Sequence, residues 1–196
     1  YHWRDGIGPR EERATTFNEN FATYELDDHH FGTDEFLRLC EMLGAEPWIN
    51  INMLSGTVAE MKDWMEYCNR GQSTNLAVER AKNGHPQPYN VKYWGIGNEV
   101  WAGGGTMTPQ TYLDEYRRFA SAMPSFTTDM FAPSSMYAIA CGPDGNKPRE
   151  RVAWTQDFFR GLAEYRQPRI NGYDLHFYNW NIDDDQDTPT EFDENG

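Results

Sequence analysis

Short apolar runs alternate with amphipathic helical patterns along this chain, and this alternation restricts the possible folds more than any other feature. We expect strands at 47–52, 91–96, 136–140 and 174–178, and helices at 34–43, from 57, from 108, and at 154–165. Strands that are joined by helices form a parallel sheet with right-handed crossovers. The predicted fold class is therefore α/β, with parallel βα units forming part of a (β/α)8 TIM barrel.

Residues that begin or end helices support three of these helices. Thr33 is expected to cap the first helix, which Gly44 ends. Thr57, with a glutamate three residues on, has the pattern of a capping box, and Thr108 precedes a proline at the first position of its helix. No repeat or low-complexity linker divides the chain. We therefore predict one domain, a partial barrel over residues 1–196.

One predicted strand ends in a polar pair. The run 93–99 finishes in Asn98 and Glu99, and the glycine-rich stretch 103–105 follows. Barrel enzymes carry their catalytic groups at the carboxyl ends of the strands, so Glu99 is a candidate acid or base. The alternative is that it caps the next helix or pairs with an arginine.

The carboxyl ends of parallel strands share one rim, where further polar residues are expected. Asn52, Asn98, Glu99, His176 and Tyr178 should converge there. Amides, a carboxylic acid, an imidazole and a phenol suit a ligand with many hydroxyl groups. The alternatives are a core histidine at 176 and a turn-capping amide at 52.

Four tryptophans near the strand ends could form apolar walls around such a ligand. The alternative for each of them is packing in the core. They are Trp48, Trp94, Trp101 and Trp180.

Composition narrows the class of ligand. The formal net charge is −14, whereas nucleic acids and anionic membranes bind clusters of Lys and Arg. No apolar run approaches the roughly 18 residues that a membrane span needs. An aromatic content of 15% favours ring-stacking ligands such as sugars. We expect no nucleic-acid or membrane partner, and a neutral ligand.

The cysteines indicate a reducing compartment. Cys40, Cys68 and Cys141 are odd in number and lack paired spacing, so we predict buried free thiols and a cytoplasmic location. Their spacing does not suit a metal site, and the acidic run 183–187 lacks the pattern of an EF-hand loop. We read that run as a solvated loop and expect no metal and no cofactor.

Hydrolysis of a glycoside needs two carboxyl groups, one to protonate the leaving oxygen and one to attack the sugar or activate water. Glu99 suits the acid. Burial and a nearby second carboxylate are expected to raise its pKa, so that it stays protonated near neutral pH. Asn98 would bond the sugar hydroxyl beside the reacting carbon.

Several short stretches, taken in order, resemble the α-L-arabinofuranosidases of glycoside hydrolase family 51. They are 1–11 (YHWRDGIGPRE), 31–36 (FGTDEF), 44–47 (GAEP), 55–57 (SGT), 91–99 (VKYWGIGNE) and 175–178 (LHFY). The resemblance implies a retaining enzyme that releases arabinofuranosyl units from arabinan or arabinoxylan. It also implies a (β/α)8 barrel followed by a β-sandwich domain, which we expect to lie outside this chain.

The same resemblance implies roles for individual residues. Glu99 matches the acid/base of the family and Asn98 the adjacent sugar-binding amide. His176 and Tyr178 match its active-site histidine and tyrosine. Asn52 and Trp101 join them as substrate-binding candidates, and Phe21 stands where many relatives carry a tryptophan.

The second carboxyl group is expected beyond the end of this chain. Glu194 is a tempting nucleophile, but it follows His176 too closely for a helix and a strand to intervene. We therefore read the chain as a segment of a longer protein, inactive by itself, which acts on an arabinose-containing oligosaccharide or polysaccharide. The sequence leaves open whether that protein is a homo-oligomer.

Two other functions remain open from the residues. Another retaining barrel glycosidase of the same clan, such as an endo-glucanase or mannanase, would share Gly97-Asn98-Glu99. A non-catalytic carbohydrate-binding protein would use the aromatic residues for sugar and Glu99 only to order the rim.

Overall fold

Four parallel strands form the main sheet of the computed structural model, which describes residues 1–18, 24–71, 73–129 and 131–178. These strands lie side by side in chain order, as the sequence predicted. Two strands of three residues each pair as an antiparallel hairpin ahead of them. The strands are β1 Thr16–Asn18, β2 Glu25–Asp27, β3 Trp48–Ile51, β4 Tyr93–Ile96, β5 Tyr137–Ala140 and β6 Gly172–Tyr173.

The pairing register aligns the carboxyl ends of the central strands. Ile51 of β3 pairs with Ile96 of β4, which pairs in turn with Ala140 of β5. Residues that follow these three positions therefore leave the sheet at one rim. The predicted convergence at the strand ends has a structural basis in this register.

Helices connect the strands. They are α1 Thr33–Leu43, α2 Val58–Asn69, α3 Asn75–Lys82, α4 Pro109–Ala122 and α5 Pro148–Leu162. Two short 3-10 helices, Trp3–Gly6 and Arg10–Glu12, precede them. The sequence did not predict α3, the 3-10 helices or the β1–β2 hairpin, because each is too short to show a clear period.

The predicted helix starts are confirmed at two of three positions. Thr57 and Thr108 each accept a hydrogen bond from the N–H three residues on. Thr33 was expected as an N-cap but is the first residue of α1, since the Glu35 carboxylate accepts the N–H of Gly32 and draws that residue into the cap. Helix α5 begins six residues before the predicted start at 154, because Pro148 can open a helix without a capping side chain.

The last predicted strand is displaced. The expectation was a strand at 174–178, whereas the sheet strand is Gly172–Tyr173. Asp174 makes the last ladder bond to β5, and His176 forms only an isolated bridge with Asp144. Residues 174–178 therefore extend past the sheet and over its rim.

The core lies between the sheet and its helices. Trp94 and Ile96 of β4 are fully buried, together with Met65 of α2 and Phe119 of α4. Burying one large apolar side chain of this kind contributes about 1.5–3 kcal/mol. Of the two possibilities for Trp94, core packing is confirmed and a ligand wall is not: its ring faces the helices, where it packs edge-on against Trp64.

Three further features bear on the sequence predictions. Cys40, Cys68 and Cys141 are buried free thiols, as predicted. Within the described ranges, none of the helices is long and apolar enough to cross a membrane. The same residues contain no cluster of three or more His, Cys, Asp or Glu side chains that could hold a metal ion.

Candidate active site

A tight turn after β4 lifts Glu99 over the end of the sheet. Gly97 and Glu99 both have positive φ, 90° and 45°. This region costs little for glycine, but for a glutamate it is unfavourable by about 1–2 kcal/mol. The carbonyl of Glu99 accepts the N–H groups of Ala102 and Gly104 at 2.8 and 3.1 Å, so the loop that follows holds the strained residue in place.

Two donors meet one oxygen of the Glu99 carboxylate. The Tyr178 hydroxyl donates to Oε1 at 2.7 Å, and Nδ1 of His176 lies 2.9 Å from the same atom. Within the described part of the chain, no group bonds Oε2. Oε1 is therefore anchored at the rim by two side chains, whereas Oε2 has no partner among the described residues.

The pKa of Glu99 departs from the sequence expectation. The hydrogen bond from His176 lowers this pKa, partial burial opposes the shift, and the Tyr178 hydroxyl lowers it further. We expected burial and a second carboxylate to raise it; in this structure burial does oppose the shift but is outweighed, and the effect of a second carboxylate stays a prediction. The Glu99 side chain keeps 25% of its surface exposed, so the donors to its charged form outweigh desolvation.

Asp174 is a site residue that sequence reasoning missed. Its carboxylate accepts the N–H of Gly142 at 2.6 Å, and its other oxygen lies 4.0 Å from Nε2 of His176. Burial raises the pKa of Asp174, and the Gly142 N–H partly offsets this. The available signal was the spacing of 174, 176 and 178, because alternate residues of an extended segment share a face.

Trp101 and Asn98 flank the carboxylate differently. Trp101 is half-buried, and its Nε1 donates to the Gly142 carbonyl at 3.0 Å. Asn98 is exposed beside Glu99, and within the described ranges its side chain has no hydrogen-bond partner. The indole N–H of Trp101 is thus engaged, and sugar binding by Asn98 stays a prediction.

Asn52 is held inside its own loop. Its oxygen accepts the N–H groups of Leu54 and Ser55, and its nitrogen donates to the Ser55 hydroxyl and the Tyr1 carbonyl. Both donors and both acceptor positions are therefore used. This geometry agrees with the turn-capping alternative, while sugar binding by Asn52 stays a prediction.

Of the remaining candidate ligand-binding residues, one is exposed and the others lie outside the described residues. Trp48 is 43% exposed, and its indole N–H donates to Asn50. Phe21, Trp180, Glu194 and the acidic run 183–187 lie outside the described residues. Ligand contacts at all of these positions stay predictions.

A family model described as "Alpha-L-arabinofuranosidase 1 domain" matches residues 1–196. Among curated proteins, an intracellular exo-α-L-arabinofuranosidase of Bacteroides ovatus is 38% identical over 178 residues, covering 91% of this chain and 32% of the relative. The α-L-arabinofuranosidase C of Emericella nidulans is 37% identical over 181 residues, covering 91% and 35%. The chain spans about a third of the length of these relatives.

Solved structures show the same relationship. An α-L-arabinofuranosidase of Thermotoga maritima in complex with arabinose has a TM-score of 0.76 and 37% identity, with coverage of 93% of this chain and 35% of that one. The GH51 arabinofuranosidase of Xanthomonas axonopodis pv. citri has a TM-score of 0.77 and 29% identity, with coverage of 100% and 37%. These proteins have a TIM-barrel catalytic domain, of which this chain covers part, as the strand and helix pattern predicted. The chain belongs to the α-L-arabinofuranosidases of glycoside hydrolase family 51.

Proposed function

We propose that this chain forms part of a retaining α-L-arabinofuranosidase and supplies its general acid/base, Glu99. The main observation in support is that the Glu99 carboxylate lies at the rim of a parallel sheet, with one oxygen anchored by His176 and Tyr178. Anchoring one oxygen leaves the other to exchange a proton with a bound glycoside. Membership of the family supports the same reading.

The two half-reactions place opposite demands on Glu99. In the first, protonated Glu99 gives its proton to the leaving oxygen while a second carboxylate attacks the anomeric carbon. In the second, ionised Glu99 takes a proton from water, which releases the sugar. His176 and Tyr178 stabilise the ionised form, so they support the second step. The negative charge of the second carboxylate would raise the pKa of Glu99 for the first step.

The sugar is an arabinofuranosyl unit in this proposal. The Thermotoga maritima relative is described with bound arabinose, and the Bacteroides ovatus relative is named as exo-acting. Exposed Asn98, next to the carboxylate, would bond the hydroxyl beside the reacting carbon. The linked polymer would be arabinan or arabinoxylan.

The wider setting follows from the same relatives. We place the second carboxyl group and the β-sandwich domain in a longer protein that contains this chain. The Bacteroides ovatus relative is named intracellular, and the buried free thiols fit the same location, so we propose the cytoplasm.

The test is Glu99→Ala in the full-length protein, assayed on arabino-oligosaccharides and on an aryl arabinofuranoside with a good leaving group. We expect kcat/KM on the oligosaccharides to fall about 10²–10⁴-fold. The aryl substrate should lose less in its first step, because its leaving group needs no proton. Added azide should restore turnover of the aryl substrate and give an arabinosyl azide of retained configuration.

Two results would contradict this role. Near-normal hydrolysis of oligosaccharides by Glu99→Ala would remove Glu99 from the chemistry. An azide product of inverted configuration would identify Glu99 as the nucleophile instead. Glu46→Ala is the matched control, because Glu46 is exposed and precedes β3 at the opposite end of the sheet.

A further inference from the structure

The segment that carries His176 and Tyr178 leaves the sheet before it reaches the site. The Asp174 N–H donates to the Ala140 carbonyl at 3.0 Å, which ends the regular pairing of β6 with β5. Residues 174–178, which we call the arm, then run beside residues 142–146, the loop that joins β5 to α5. The arm must be held by this loop for Tyr178 to reach Glu99.

The loop contacts the arm at alternate residues. The Gly142 N–H donates to the Asp174 carboxylate at 2.6 Å, and the Gly145 N–H donates to the His176 carbonyl at 2.7 Å. In the third contact, the loop contributes a side chain instead of a backbone N–H. Asn146 accepts the Tyr178 N–H at 2.8 Å and donates its amide N–H to the Tyr178 carbonyl.

This pair of bonds reproduces the pairing of a neighbouring strand. A single amide group satisfies both backbone groups of Tyr178, so it fixes the direction in which the phenol leaves the arm. The Tyr178 hydroxyl then lies 2.7 Å from Oε1 of Glu99. Because a long side chain amplifies a small backbone rotation, the amide controls where that hydroxyl lies.

Asn146 is itself held in position on the loop. Its own N–H donates to the Asp144 carboxylate at 2.9 Å, and helix α5 begins two residues later at Pro148. The side chain is exposed and takes no part in the buried core. A polar residue that is fixed locally, exposed, and bonded twice to one active-site residue serves position rather than packing.

We propose that Asn146 is a positioning residue which keeps the Tyr178 hydroxyl on Glu99 by holding the backbone of Tyr178. This inference rests on the proposed function, because it assigns Asn146 a part in the acid/base chemistry of Glu99. Asn146 acts through Tyr178 and has no direct contact with the carboxylate. Displacing a catalytic group by on the order of 1 Å can lower the rate about a hundredfold, so loss of the Asn146 hydrogen bonds should have a measurable effect.

The test is a double-mutant cycle of Asn146→Ala and Tyr178→Phe in the full-length protein, with kcat and KM measured on an arabino-oligosaccharide. Tyr178→Phe should lower kcat by about ten- to a hundredfold, because that is the change in rate that corresponds to the loss of one hydrogen bond to a charged group. Asn146→Ala should lower kcat by about tenfold or more, with a smaller change in KM. The double variant should be no slower than Tyr178→Phe alone, because both changes remove the same contact.

Controls and a second readout separate position from folding. Lys147→Ala changes the next residue, whose side chain pairs only with Glu150 at the surface within the described chain, and should keep wild-type kcat. Asn146→Asp retains the acceptor for the Tyr178 N–H and should fall between wild type and Asn146→Ala, and it replaces the alanine variant if that variant fails to fold. Hydrogen exchange of the Tyr178 amide should accelerate in Asn146→Ala and not in Lys147→Ala.

These measurements test the positioning role of Asn146 separately from the proposed activity. Wild-type kcat in Asn146→Ala, or losses that multiply in the double variant, would overturn the proposal. Unchanged exchange at Tyr178 would overturn it as well. A wild-type protein without arabinofuranosidase activity would count against the proposed function, while the exchange measurement would still show whether Asn146 holds Tyr178.

Discussion

At the scale of single residues, Arg13 and Glu35 form the most complete ion pair of the chain's opening segment. The Arg13 guanidinium donates to both Glu35 oxygens at 2.9 and 3.0 Å and also to the carbonyls of Gly8 and His29. The Gly32 N–H bonds the same carboxylate at 2.9 Å. Arginine suits this place because its flat fork of donors serves several acceptors at once. The pair ties the segment before β1 to the start of α1.

Glu35 should make stability depend on pH. Partial burial alone would raise its pKa, but the hydrogen bonds from Arg13 and Gly32 prevail and lower it from 4.5 to about 2. A carboxyl group whose pKa is lower in the folded state stabilises that state above its unfolded pKa. This contribution is present above about pH 4.5 and is lost as pH falls toward 2.

Glu35→Gln should therefore lower the free energy of unfolding at pH 7 by about 2 kcal/mol, allowing for screening by solvent. The measurement is the melting temperature of both proteins from pH 7 down to pH 2.5. The gap between them should narrow as pH falls below 4.5, and a gap of constant size would contradict the ion-pair account. Glu11→Gln, at an exposed position nearby, is the control and should change little.

At the scale of elements, the loop after β4 determines the position of Glu99. Residues 97–105 contain two glycines at positive φ, the strained Glu99, and backbone bonds that return to the Glu99 carbonyl. Two adjacent glycines in this loop have different surroundings. A Cβ on Gly104 would lie 1.7 Å from the Asn98 carbonyl oxygen, whereas a Cβ on Gly103 would meet nothing within 4 Å.

Gly104→Ala should therefore displace Asn98 and Glu99, while Gly103→Ala should not. We expect kcat to fall by more than about tenfold in Gly104→Ala, because a shift of Glu99, the proposed acid/base, by a fraction of an ångström would misalign proton transfer. Gly103→Ala should stay within about twofold of wild type. Equal losses in the two variants would show that loop flexibility, rather than the contact with Asn98, is what matters.

The elements also show which local signals can be read from a sequence. Thr57 and Thr108 were predicted as helix caps because a threonine ahead of an amphipathic run has a local chemical reason to be there. The short strand β6 was placed too late, because the residues after it also alternate in an extended arm. Alternation of side chains indicates that the backbone is extended, but it does not indicate which segment the backbone hydrogen-bonds to.

At the scale of the whole molecule, the burial of the three thiols shows how closely the helices cover the sheet. Cys68 lies on the inner face of α2, fully buried, and Cys141 follows β5 with 1% of its surface exposed. Burial raises the pKa of Cys68 well above its usual range and that of Cys141 to about 12. Both access and ionisation therefore oppose their reaction with thiol reagents.

Labelling of the full-length protein with a neutral thiol reagent at pH 8, followed by peptide mapping, checks this. Peptides carrying Cys40, Cys68 and Cys141 should react at least about a hundredfold more slowly in the native protein than in denaturant. Rapid native labelling of Cys68 or Cys141 would mean that the helix layer opens readily.

The sequence by itself determined the class of fold and gave Glu99 as the candidate acid. The alternation of strands and helices requires a parallel sheet, and the rim of that sheet collects the strand-end residues, so Glu99, His176 and Tyr178 could be named from spacing and resemblance alone. These inferences depend on local patterns and on rules of chain connection.

Only the tertiary structure decided how these residues act on one another. The sign of the pKa shift at Glu99 depends on the balance between donors and burial, which no local pattern contains. The engagement of Asn52 within its loop, the burial of Trp94, and the contacts of Asp174 and Asn146 likewise depend on segments far apart in the chain. Position along the chain places a residue at the rim, but hydrogen bonds and solvent exposure in three dimensions set its charge and its partners.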